Sequence, residues 1–134
     1  MWGARAPRGV VSRSGPSYHP AALPDHLDLD ALDVRVGTVS AARVLPGART
    51  PTLAFDVDFG ELGAITAVAE IAELYDPEEL VGLQVVGVVN LPPRQVAGLE
   101  IRARVLTVGD SLGHRVLVIP ERPVPDGGRA AGEG

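Results

Sequence analysis

Asn90, Arg94 and Gln95 stand on either side of Pro92-Pro93, and their chemistry suits a polar ligand. A guanidinium can pair bidentately with a phosphate or a base edge, and a carboxamide can both donate to and accept from a base. The double proline cannot continue a ladder, so the strand before it should stop by Leu91 and the loop carrying Arg94 should be stiff. The other reading of these residues is that Asn90 caps the loop backbone and Arg94 is merely exposed. Arg49, in the turn after Pro46-Gly47, and Arg43 are further candidates for phosphate contact, while Arg35 suits an ion pair with a nearby carboxylate equally well. Catalysis finds little support. His19, His26 and His114 lie apart, without a cysteine partner or a Ser–His–Asp arrangement, and read as solvated. Asp56 and Asp58 share an outward strand face, which reads as solvated rather than as a metal or acid–base pair. No phosphate-binding glycine loop of standard spacing is present. No catalytic site, metal or cofactor is expected.

The elements that must position these residues can be read from periodicity. Val34 to Leu45 alternates as a long strand, expected to bend at Gly37. Pro46-Gly47 is a turn. In Thr52 to Phe59, Leu53, Phe55, Val57 and Phe59 should face inward, with Thr52, Ala54, Asp56 and Asp58 outward. Gly63 to Val68 is a third strand carrying Ile65 and Val68. Ile71 and Leu74 suit a short helix over Glu70 to Leu74 that plugs one end of the fold. In Tyr75 to Gly82, Asp76 can cap a second turn of helix, Pro77 suits its first position, and Gly82 suits a positive φ after it. Gln84 to Val89 is apolar on both faces and should be covered on both. Leu99 to Val105, running on towards Val108, is the fifth strand. Asp110 to His114 is a hairpin loop, Arg115 to Ile119 a last strand, and Pro120 to Asp126 an extended arm. The fold class is all-β with a small α component: a five-stranded Greek-key barrel of OB type with a short helix after the third strand and an extended C-terminal arm.

The chain of 134 residues holds one domain. It is expected over residues 28–128, between a disordered tail at 1–27 and a frayed end at 129–134. Without cysteine there are no disulfides, a composition that suits the cytoplasm, and no apolar run approaches a membrane span. The formal charge is −5 and all twelve basic residues are arginine. That is not the overall charge expected of a nucleic-acid binder.

Tyr75-Asp76-Pro77-Glu78-Glu79-Leu80-Val81-Gly82, then Val85-Val86, Val88-Val89-Asn90-Leu91-Pro92-Pro93-Arg94 and Ala97-Gly98, resemble the tRNA-binding domain family. Leu32 to Val39, Leu45 to Arg49 and Phe55 to Gly60 resemble its opening strand, first turn and second strand. The double proline and the ending Val118 to Gly127 are most similar to the free-standing CsaA-like proteins. The resemblance implies an OB fold, tRNA as partner, no chemistry, and a homodimer to which the proline-rich arm could cross. It tips Arg94 towards ligand contact. Two stretches depart from the family. A polar run on its binding side is replaced by Thr66-Ala67-Val68-Ala69-Glu70, where Glu70 should repel phosphate. After Gly98, its usual Ser-Glu pair becomes Ile101-Arg102, and Arg102 adds a positive charge. Two other readings stand beside tRNA binding. One is an export-related chaperone that binds unfolded polypeptide in an apolar groove, favoured by Ala67 and Val68. The other is a degenerate structural dimer without a retained ligand.

Overall fold

The computed structural model describes residues 31–132. The first strand, β1 (Val34–Val44), is the longest and forms the hinge of the whole sheet. Its C-terminal half pairs antiparallel with β2 (Leu53–Asp58), and its N-terminal half pairs with β4 (Gln84–Val88). β2 pairs with β3 (Ala64–Ala69), and β4 with β7 (Arg104–Val105), giving the order β3-β2-β1-β4-β7. The sheet closes where Ala67 of β3 meets Ala103 in a parallel bridge, supported by Arg102 N–H to the Thr66 carbonyl at 3.4 Å. This is the five-stranded OB-type barrel expected from the alternation. This near-closure shortens the free edges that would otherwise recruit another chain.

Alternation decides the core, as expected. Leu53, Phe55, Val57 and Phe59 are all fully buried, together with Val39, Ile71, Leu80 and Val85. Thr52 and Ala54 are buried as well, so the start of β2 is covered on both faces. Thr52 tolerates this because its hydroxyl donates to the Thr50 carbonyl at 2.9 Å. On β3 the inward residues are Ile65, Ala67 and Ala69, so Val68 belongs to the opposite face from Ile65. β1 shifts register between Val39 and Ala41 rather than at Gly37. Gly37 is required for another reason: a Cβ there would lie 2.6 Å from Val57 Cγ1 and 2.7 Å from the Asp58 carbonyl oxygen.

Three expectations are corrected by the tertiary structure. Glu70 to Leu74 forms no helix; Ile71 is buried and its carbonyl accepts from Leu74 and Tyr75, making one tight turn that leaves Leu74 exposed. The helix, α1 (Pro77–Leu80), follows it, with the Glu79 carboxylate accepting from Asp76 N–H at 2.8 Å and Leu80 buried in the core. The fifth strand is broken into β6 (Leu99–Ile101), β7 and β8 (Thr107–Gly109), because each piece has a different partner. β6 pairs with β5 (Arg94–Val96), and β8 with β9 (Arg115–Leu117). The expected C-terminal arm is extended and packs on the barrel. It runs back beside the part of β1 that β2 leaves unpaired, with Gly127 N–H to the Val36 carbonyl, Val36 N–H to Gly128 and Ala130 N–H to Val34. Gln84 holds it through both amide atoms, accepting from Val124 N–H and donating to the Val124 carbonyl at 2.7 Å. Where a frayed end was expected from residue 129, the backbone is paired as far as Ala130. Arg35 adds a clasp: it binds Asp33 at 2.6 Å and donates to the Gly127 carbonyl at 3.0 Å. The Arg35 hydrogen bond holds the Asp33 carboxyl below its usual range, against desolvation and with help from the nearby charges of Arg35 and Arg129.

No helix among the described residues is long and apolar enough to cross a membrane. The tail expected over 1–27, with His19 and His26, lies outside the described residues.

Candidate nucleic-acid interface

Two connections frame an open groove of about 890 Å³ on one side of the barrel. One is the turn between β1 and β2, which supplies Gly47 to Thr50. The other is the β5–β6 hairpin, which supplies Arg94, Val96 and Ala97. OB barrels bind oligonucleotides between their first and last such loops. The floor comes from Val68 and Glu70 at the end of β3, Val88 of β4, and Arg104 to Thr107; Arg115 of β9 closes the far side.

Each element is held locally. The β5–β6 hairpin turns on Ala97 and Gly98, both with positive φ (49° and 82°), the two-residue turn whose twist matches paired strands. Its register sets Arg94 opposite Ile101 and Gln95 opposite Glu100. Arg94 is therefore the first residue of a strand, not part of a loop stiffened only by proline. Arg94 and Val96 share the groove face; Gln95, one residue out of phase, does not line it. β9 is anchored by Leu117 N–H to the Tyr75 hydroxyl at 3.2 Å, and the loop before it by Asp110, which accepts from the backbone of Leu112 and His114. Desolvation pushes the Asp110 carboxyl up, but these bonds and the His114 ring together bring it below its ordinary value. His114 is half-buried rather than solvated, with Nδ1 3.2 Å from Asp110 and Nε2 3.7 Å from Glu73.

The expected site residues separate into three groups. Arg94, Arg49 and Glu70 meet in the groove. Asn90 does not join them. Its Oδ1 accepts from Asp33 N–H at 2.9 Å and its Nδ2 donates to the Ala31 carbonyl at 2.7 Å, tying the end of β4 to the entrance of β1. Gln95, Arg43 and Arg102 also lie elsewhere. Arg43 faces Asp56 at 3.8 Å, and Arg102 sits where the chain crosses to β3. Asp56 also accepts from Thr66, and Asp58 accepts from Gly60 N–H. Ala67 is in the core and cannot line a peptide groove, whereas Val68 does line this one. Arg104 and Arg115 were not among the residues singled out from sequence. The outward alternation of Arg102 and Arg104 signalled both equally, and only the pairing of Arg104 with Val88 brings it into the groove.

Charge is distributed unevenly. Among the described residues Arg35, Arg43, Arg122 and Arg129 make ion pairs with carboxylates. Arg49, Arg94, Arg102, Arg104 and Arg115 make none with any described carboxylate, and four of these five line the groove. With Glu70 as its one acidic residue, four charges against one give a formal +3 in a chain of net −5. A concave site with an excess of one sign focuses its field whatever the overall charge.

Residues 34–129 match the family model for the tRNA binding domain. The chain belongs to the tRNA-binding domain family. A methionine–tRNA ligase of Porphyromonas gingivalis is 41% identical over 118 residues, which is 88% of this chain and 17% of that protein. A methionine–tRNA ligase of Methanothrix thermoacetophila is 47% identical over 97 residues, 72% of this chain and 14% of that protein. The domain thus spans less than a fifth of these enzymes. Among solved structures, the chaperone CsaA of Bacillus anthracis superposes with a TM-score of 0.76 at 39% identity, covering 82% of this chain and all of that one. A MetRS-related protein of Pyrococcus horikoshii gives 0.69 at 29% identity, covering 81% of this chain and 100% of the other. The expected family and OB-type fold are thus borne out.

Proposed function

We propose that this domain binds tRNA in the groove between the β1–β2 turn and the β5–β6 hairpin, and performs no chemistry itself. The observation that carries this reading is the gathering of Arg49, Arg94, Arg104 and Arg115, without carboxylate partners among the described residues, in one groove of an acidic chain. Guanidinium groups left unpaired in a concave site suit phosphates, and the loops around it suit the bent, splayed parts of a folded RNA. The domain would act in the cytoplasm, lending RNA affinity to a partner or to a second copy of itself. In a homodimer, two such grooves would engage one tRNA by avidity. The test is capture of RNA from lysate with and without nuclease, followed by tRNA titration of the wild type and Arg94→Ala. Loss of tRNA binding on the order of 1–3 kcal/mol is expected in the variant, and equal affinity of the two proteins refutes this site. Sedimentation at micromolar concentration should give a dimer; a monomer there removes the homodimer.

A second reading, binding of unfolded polypeptide by a chaperone tied to export, is favoured by Val68, Leu91, Val96 and Leu106 in the same groove and by the similarity to CsaA. Salt separates the two readings. Phosphate binding weakens steeply as salt rises, and apolar peptide binding does not.

A further inference from the structure

We propose that Glu70 makes the groove selective for guanine, reading the Watson–Crick edge of an unpaired base while the surrounding arginines hold phosphates; this rests on the groove being an RNA site. Glu70 is the single acidic residue in the groove, and none of the four arginines there makes an ion pair with it. An electrostatic site for phosphate alone gains nothing from a carboxylate in its lining. The group is exposed but has a local partner. Ala69 and Ile71 on either side are buried, and Thr50 donates its hydroxyl to Glu70 Oε1 at 2.8 Å. The Thr50 carbonyl in turn accepts from Thr52, which is 4% exposed. Glu70 Oε2 has no hydrogen-bond partner among the described residues.

A carboxylate only accepts. Of the four bases, guanine alone presents two donors side by side, N1–H and the N2 amine, to match two carboxylate oxygens. Adenine and cytosine set one amine beside a ring acceptor, and uracil sets one N–H between two carbonyls, so each brings an oxygen or nitrogen lone pair against the carboxylate. Guanine also carries O6 beyond N1–H, an acceptor for a guanidinium such as Arg49 on the same turn as Thr50. Unpaired RNA bases are commonly read on this edge.

The experiment is fluorescence anisotropy with short adenosine-rich oligoribonucleotides carrying guanosine, inosine or adenosine at the central positions, with tRNA as a parallel ligand. Wild type should bind the guanosine oligomer roughly tenfold more tightly than the adenosine one, as for a good bidentate base contact. Inosine, which lacks the N2 amine, should fall between. Glu70→Gln keeps an acceptor for Thr50 and removes the charge. It should bind the adenosine oligomer more tightly and lose the guanosine preference. Arg94→Ala should weaken all three and keep their ratio. Equal affinities in the wild type, with Arg94→Ala still weakening RNA binding, overturn guanine selectivity and leave the RNA groove standing. A preference that survives Glu70→Gln overturns the assignment to Glu70, as does binding of tRNA but of no oligomer. Failure to bind either oligomers or tRNA removes both proposals.

Discussion

Replacing Arg94 and Arg115 together by alanine asks whether the groove works by phosphate neutralisation. The two residues stand on different elements, β5 and β9, and both are exposed without ion pairs among the described residues. If the four groove arginines each neutralise one phosphate of a double-helical stretch, log K should fall with log salt at a slope of about −0.9 per contact, hence about −3.6. Raising salt fourfold would then weaken binding by roughly 150-fold. With two arginines removed, the slope should be about −1.8 and the same change in salt should cost roughly 12-fold. Folding should be almost untouched, because exposed substitutions usually cost under about 0.5 kcal/mol each. The assay is anisotropy titration of labelled tRNA across a salt series, with thermal melts of both proteins. A double variant that keeps the wild-type slope refutes the reasoning, even if its affinity falls, since the lost contacts were then not to phosphates.

Gly37→Ala should destabilise the barrel by on the order of 1–3 kcal/mol, because its Cβ meets Val57 and the Asp58 backbone, which cannot both move aside; urea unfolding measures this, and an unchanged midpoint contradicts the close approach. Asn90→Ala should cost about 1 kcal/mol or more through loss of its bonds to Asp33 and Ala31 while leaving tRNA affinity unchanged; a loss of tRNA affinity at constant stability would return Asn90 to the binding site. Asp110 has a folded pKa below its unfolded value, so its contribution to stability is present above about pH 4 and is lost as pH falls through the folded pKa. Asp110→Asn should therefore flatten the acid side of the stability profile, read as urea midpoint against pH, and a profile parallel to wild type counts against the Asp110 loop bonds.

Much of the barrel was legible because burial leaves a local trace. Leu53, Phe55, Val57 and Phe59 alternate with a period that only a strand with one inner face satisfies, and Pro77 after Asp76 marks a helix start whatever surrounds it. The blocks from Tyr75 to Gly98 carry enough ordered identity to indicate the family without the tertiary structure. The groove was not legible in the same way. Arg49, Arg94, Arg104 and Arg115 come from four separate elements, and neither turn signals nor alternation say which outward residues share a concavity. Arg102 and Arg104 looked equivalent because the strand carrying them changes partner between β6 and β7, a break decided by closure against β3. Asn90 looked like a ligand contact because its partners, Ala31 and Asp33, lie far away along the chain. The arm from Pro120 looked free for the same reason: the edge it covers exists only because β2 stops pairing with β1 at Thr38. Sequence alone determined which residues are inside and where the chain turns, since both follow from neighbours in the chain. Which exposed charges gather and which polar groups are already occupied depends on register and curvature, and these are set by contacts between distant segments.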